Sequence, residues 1–214
     1  MTTAPSESPD KFCSDSGHGR LRQVAASFSA DVHRYLNKSP ENRAAGVTLK
    51  STLGALLTTQ LMCMFLYRLS HFLRVNGFRR LAVALSRLNY FVHKVNITPE
   101  SCIGAGCFIP HPVGVTFHGT AGEGLTLYSM AVCCLEPVAM EGPAHTAPVL
   151  GDRVIVGGRA VVLGPVRVGS DTKVFAVRVT SDIPGGALAV CNRSRQRIRV
   201  RGAGSAEREG QANS

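Results

Sequence analysis

The 214 residues predict an α+β chain: an N-terminal α-helical segment followed by a parallel β-helix of hexapeptide repeats. Two observations carry this. The first is a six-residue beat, running Ile97, Ile103, Ile109, Val115, Ala121, Leu127, Cys133, then after an interruption Leu150, Val156, Val162, Val168, Val174, Thr180. Of these 13 positions, 11 hold Ile, Leu, Val or Ala, so chance is a poor account of them. A period of six fits neither the 3.6 of a helix nor the 2 of an isolated strand. It fits a triangular solenoid in which each hexapeptide makes one short face and one corner, the aliphatic residue pointing into the prism. Gly follows the beat at Gly104, Gly122, Gly151, Gly157 and Gly169, where a small residue is expected to let the chain turn. The second observation is that the residues before the beat carry helical periodicity instead.

In chain order, residues 1–19 are rich in Ser, Pro and Asp and are expected to be disordered. Leu21, Val24, Phe28, Val32 and Leu36 mark an amphipathic helix over 21–37, and Ser39 with Pro40 punctuates the chain. A second helical region is expected over 48–75, ended by Gly77, and a third over 78–94 with Leu81, Leu85, Leu88 and Val92 on one face. Residues 20–95 thus form a helical segment and 96–195 the solenoid. Between Cys133 and Leu150 the beat breaks, and Ala144 to Pro148 belong to a loop thrown from one corner, the kind of place where function concentrates. Residues 196–214 form a basic tail, expected to be disordered after Gly202. Arg193, Arg195, Arg197, Arg199 and Arg201 alternate there as either a charged edge strand or a clamp for phosphates.

Composition narrows the function classes. Seven Cys with no Cys-x-x-Cys pair argue against a disulfide framework and a structural zinc site, and no metal ligands are assigned. Dispersed thiols suit a reducing, cytoplasmic location. The polar first 19 residues do not read as a signal peptide, and the apolar run from Gly54 to Tyr67 is too short to cross a bilayer. A net charge of +10 and pI near 9.7 favour an acidic partner. With no Trp and 6% aromatic residues there is no stacking platform for nucleic acid.

The block from Val149 to Gly169 resembles the C-terminal coils of the serine O-acetyltransferases, within the hexapeptide-repeat acyltransferases. Tyr67-Arg68-Leu69-Ser70-His71, Leu88-Asn89 and Val95-Asn96-Ile97-Thr98-Pro99 resemble that family's junction between helices and solenoid. The resemblance implies a left-handed β-helix and a homotrimer, with a hexamer left open. It also implies acyl transfer from a thioester, acyl-CoA or the phosphopantetheine of an acidic acyl carrier protein, with no permanently bound cofactor.

Acyl transfer needs a base for the nucleophile, donors for the oxyanion and a slot for the thioester. Histidine titrates near neutral pH and is the natural base. His111, in Phe108-Ile109-Pro110-His111-Pro112-Val113-Gly114, falls on the family's catalytic His, in a segment resembling Ile-Asp-His-Ala-Thr-Gly. The family's orienting carboxylate falls at Asn96, which accepts a hydrogen bond but carries no charge. Pro110, His118 and His145 are candidate acceptor-binding residues, with Pro112, Phe117 and Met140 as apolar walls. Gly157, Gly158, Ala160, Ala176 and Arg178 match the family's coenzyme A slot, with Arg193 and Arg195 near its phosphates. Phe175 and Arg178 replace smaller residues of the pattern. The family's substrate-binding Asp-Pro reads Ser39-Pro40, its Arg-His pair falls near Thr146-Ala147, and its Gly-Gly reads Cys134-Leu135. These departures remove the ionic grip on a zwitterion. The expected function is therefore acyl transfer to a hydroxyl or amine of a small molecule other than serine, the alternative being an inactive scaffold or regulatory relative.

Overall fold

The computed structural model describes residues 19–38, 54, 57–134, 147–192 and 195–200. Among them are three helices, α1 (Leu21–Lys38), α2 (Thr59–Val75) and α3 (Arg79–His93). Fourteen short strands follow: β1 (Asn96–Ile97), β2 (Cys102–Ile103), β3 (Thr116–Phe117), β4 (Thr120–Ala121), β5 (Thr126–Leu127), β6 (Val132–Cys134), β7 (Val149–Leu150), β8 (Ile155–Val156), β9 (Val161–Leu163), β10 (Arg167–Val168), β11 (Lys173–Phe175), β12 (Arg178–Val179), β13 (Ala187–Asn192) and β14 (Arg195–Val200). They build three sheets, in the orders β1-β3-β6-β9-β12, β10-β7-β4-β2 and β14-β13-β11-β8-β5. All pairings are parallel except the terminal hairpin of β13 (Ala187–Asn192) with β14, so the three sheets are walls of a parallel β-helix. The basic run from Arg195 thus begins as an edge strand, and the hairpin extends to Val200.

The beat is the core. Ile97, Ile103, Ile109, Val115, Ala121, Leu127, Cys133, Leu150, Val156, Val162, Val168 and Val174 are all buried. Each such side chain contributes roughly 1.5–3 kcal/mol by leaving water. The thirteenth position fails: Thr180 is exposed and Val179 takes the inward place. The corner at Phe175–Ala176 is one residue shorter than its neighbours, which shifts the register.

The glycines after the beat also have another reason than the expected one. A Cβ at Gly104 would lie 2.6 Å from the backbone carbon of Gly122, and one at Gly151 would lie 2.6 Å from the amide of Ser170. They are small because consecutive coils touch there. The left-handed turn falls later in each corner, at Gly106, Gly124, Arg153 and Asp171 on one edge and at Gly114, Met130, Arg159 and Ala176 on another. Several of these carry side chains, at a cost in backbone strain that the stacked coils hold in place.

Some residues of each coil pair with the next, as in Cys102 N to Gly119 O and Gly104 N to Ala121 O, while others point to the preceding coil, as in Leu127 N to Phe108 O. Many carbonyls of the first coil therefore face away from the stack and must find donors elsewhere. The helices supply them. Ser86 Oγ donates to Ile97 O (3.0 Å), His71 Nδ1 to Pro99 O (2.8 Å) and Tyr67 OH to Ser101 O (2.9 Å). Arg68 reaches the carbonyls of Ile103 and Gly104, Arg34 that of Gly106, and Gln60 Nε2 that of Pro110 (3.1 Å). Asp31 holds Arg68 in a buried pair at 3.0 Å and accepts from the amide of Cys107 at 2.7 Å. Burial pushes the Asp31 carboxyl above its ordinary range, against the pull of Arg68.

The apolar stripe of α3 departs from an inward-facing amphipathic helix. Leu81, Leu88 and Val92 are 52%, 47% and 60% exposed, whereas Ala82 and Asn89 are buried. Asn89 Nδ2 donates to Cys63 O (2.9 Å), fixing α3 on α2 by its polar side. α3 ends at Lys94, whose left-handed backbone turns the chain into β1.

The cysteines differ from expectation at one position: Cys102 is disulfide-bonded, so the thiols are not uniformly free. Cys63, Cys107, Cys133 and Cys134 are free. Burial pushes the Cys107 thiol up to about 12 and raises Cys63 and Cys133 as well, which leaves them inert.

Candidate active site

One edge of the prism, where the chain passes from the third sheet into the first, gathers most of the expected residues. Four corners stack there: 110–114, 128–131, 157–160 and 175–177. Met130 N donates to Val113 O (3.0 Å) and Arg159 N to Ser129 O (3.3 Å), and a Cβ at Gly157 would strike the Phe175 ring. Pro110, His111, Gly157, Gly158, Ala160 and Ala176 therefore share one edge.

Asn96 and Arg178 flank it. By strand register, Asn96, Thr116, Val132, Val161 and Arg178 form one outward row across the first sheet. Neighbouring strands lie about 4.8 Å apart, so the row spans roughly 19 Å. His111 sits toward its N-terminal end and Ala176 about three coils away.

His111 is exposed. The corner that carries it is held on both sides: Gly114 N donates to the O of Lys94 at the end of α3 (3.0 Å), and Met130 N of the next coil donates to Val113 O. Asn96 is exposed too, and among the described residues no hydrogen bond joins it to His111. An exposed imidazole with a fixed backbone can take a proton from a bound hydroxyl and return it.

The remaining assignments do not gather here. His118 lies beyond β3 (Thr116–Phe117) on a different edge, where its amide donates to Cys133 O (2.7 Å). Burial lowers its pKa, partly opposed by Glu100. Phe117 is fully buried in the core and forms no acceptor wall, a correction that follows from its position beside the inward Val115. His145, Arg193, Met140 and Ser39-Pro40 lie outside the described residues, as does the Arg195 side chain. Among the described residues there is no group of three His, Cys, Asp or Glu placed to hold a metal, and no helix long and apolar enough to cross a membrane.

Two features of the edge were not read from the sequence. The Phe175 ring covers Gly157 within the slot, and Gln60 reaches the carbonyl just before His111. The unusual size of Phe175 was a signal for the first. Nothing local in the sequence marks the second, because its partner is 50 residues away.

No family model matches the chain. A serine acetyltransferase of Helicobacter pylori is 35% identical over 171 residues, covering 78% of this chain and 95% of that protein. One from Mycobacterium tuberculosis is 37% identical over 127 residues, covering 58% of this chain and 54% of that protein. Among solved structures, the serine acetyltransferase of Neisseria gonorrhoeae superposes with a TM-score of 0.71 at 23% identity, over 84% of this chain and 68% of its own. That likeness shows the fold, three helices followed by a parallel β-helix, and is consistent with left-handed winding. The expectation of an acceptor other than serine is not supported, since these comparisons point to serine. Its basis was a handful of single contacts, and a zwitterion can be held by other charges. On identity and coverage together, the chain belongs to the serine acetyltransferase family and is a transferase enzyme related to the O-acetyltransferases.

Proposed function

We propose that the protein transfers the acetyl group of acetyl-CoA to the hydroxyl of serine. The observation that carries this reading is 35% identity across 95% of a serine acetyltransferase. His111 takes the proton of the serine hydroxyl as its oxygen attacks the thioester carbonyl. Backbone amides across the groove between subunits hold the oxyanion. The intermediate then collapses, the carbon–sulfur bond breaks, and the imidazolium returns the proton to the thiolate of coenzyme A. A new ester and a free thiol result, with no net proton gained.

In this reading Asn96 accepts from the ring N–H once substrate closes the site, fixing the tautomer without adding charge. Pro110 walls the acceptor. Gly158 and Ala176 leave room along the edge for the pantetheine arm, whereas Phe175 covers Gly157 and Ala160 is buried in the core; Arg178, with Arg193 and Arg195, meets its phosphates. His118, from a neighbouring subunit, contacts serine, and His145 is the second candidate for that contact. The coils wind left-handedly, three chains form a trimer, and the enzyme works in the cytoplasm. The site is thus completed by a second copy.

The test is release of coenzyme A, followed with a thiol reagent, with L-serine as acceptor and acetyl-CoA or an acetylated carrier protein as donor. The reading expects turnover with serine and acetyl-CoA. Absence of turnover with serine, alongside turnover with another small alcohol or amine, overturns it.

A further inference from the structure

We propose that Gln60 is a positioning residue for His111. This inference rests on the reading of His111 as the base. Gln60 is the second residue of α2, and its Nε2 donates to the carbonyl of Pro110 at 3.1 Å. A carbonyl only accepts, so the contact requires the amide nitrogen at that place.

The surroundings explain why this bond matters. Pro110 has its φ fixed by the ring, and so does Pro112. Pro112 also restricts the residue before it, His111, to extended backbone. Beyond it, Pro112 O accepts from Val115 N (3.4 Å), and Val113 and Gly114 are tied to Met130 and Lys94. The peptide between Pro110 and His111 can still turn about ψ of Pro110 and φ of His111, and that turn swings the Pro110 carbonyl. Gln60 pins that carbonyl. It thereby sets the direction in which the His111 side chain leaves the backbone, while the imidazole itself stays exposed and touches none of the described residues through a hydrogen bond.

The other helix donors cap carbonyls outside the four stacked corners: Ile97, Pro99, Ser101, Ile103, Gly104 and Gly106. Gln60 caps the carbonyl adjacent to the base. Through it, the packing of α2 on the first coil is transmitted to the reacting group. A positioning error of about 1 Å in such a group costs up to about a hundredfold in rate.

The experiment compares Gln60→Met, which keeps length and loses the donor, with Gln60→Lys, which restores one, in steady-state kinetics with acetyl-CoA and serine. Thermal midpoints are measured alongside, and His111→Ala serves as control. The expected result for Gln60→Met is a fall in kcat of about tenfold, with both KM values and the midpoint nearly unchanged, and recovery of most of kcat in Gln60→Lys. Full kcat in Gln60→Met with an inactive His111→Ala overturns the inference and leaves the reading of the base intact. A kcat loss that only tracks a lowered midpoint also overturns it, because Gln60 then acts on folding alone. An active His111→Ala removes the base itself, and the inference with it.

Discussion

The helices and the solenoid are held by opposite means. The solenoid closes on itself through aliphatic side chains stacked at one repeat per face, and its inward row from Ile97 to Val174 is buried within one chain. The helical segment docks onto that column through polar donors aimed at the first coil's outward carbonyls and through Cys63, Met64 and Tyr67 of α2, which join the column's apolar core, while Leu81, Leu88 and Val92 remain exposed. A column of parallel coils generates its own apolar cohesion but always leaves one end with unpaired carbonyls. The helices close that end, capping its polar groups and adding Cys63, Met64 and Tyr67 to the core.

Removing a charge from the junction is the sharpest way to break this comparison. Arg68→Ala leaves Asp31 buried without its partner and frees the carbonyls of Ile103 and Gly104. The expected loss is about 3–5 kcal/mol in urea unfolding, with the helical signal melting before the β signal. In the column itself, Leu127→Ala opens a cavity at a fully buried position and is expected to cost about 2–5 kcal/mol in a single transition with no separate loss of helix. If the two variants unfold alike, the regions are not held differently.

Acid should act on the junction first. His71 is buried, donates to Pro99 O, and has its pKa lowered chiefly by burial. The unfolded chain therefore takes up the proton more readily, so this stability is complete above the ordinary pKa of about 6.5 and is lost as pH falls below it. Urea midpoints should decline from pH 7 to 5.5, and less steeply in His71→Gln. At the small end, Arg153→Ala removes an exposed pair with Asp171 at 2.7 Å. No measurable change in midpoint is expected, since such pairs are screened by water.

The column was legible because its signal is periodic and local: twelve of thirteen beat positions are where the period puts them. Thr180 misleads because one residue is missing at the Phe175 corner, and a deletion shifts everything after it. The junction was legible only as the family resemblance of Tyr67 to His71, Leu88-Asn89 and Val95 to Pro99, and its hydrogen bonds were not legible at all. Asp31, Arg34, Gln60, Tyr67, Arg68, His71 and Ser86 follow no spacing, since each answers a backbone group fixed by the solenoid rather than by the helix, a carbonyl for the donors and the Cys107 amide for Asp31. The edge with His111, Gly157, Gly158 and Ala176 could be read because a period of six assigns each residue to a corner. The acceptor could not, because no spacing in the sequence marks its contacts.

The most direct measurement is the turnover of His111→Ala against the unaltered protein, with acetyl-CoA and serine and the oligomer checked by light scattering. The account predicts a fall of at least about a hundredfold in an assembly of unchanged size. Equal turnover in an intact assembly would contradict it.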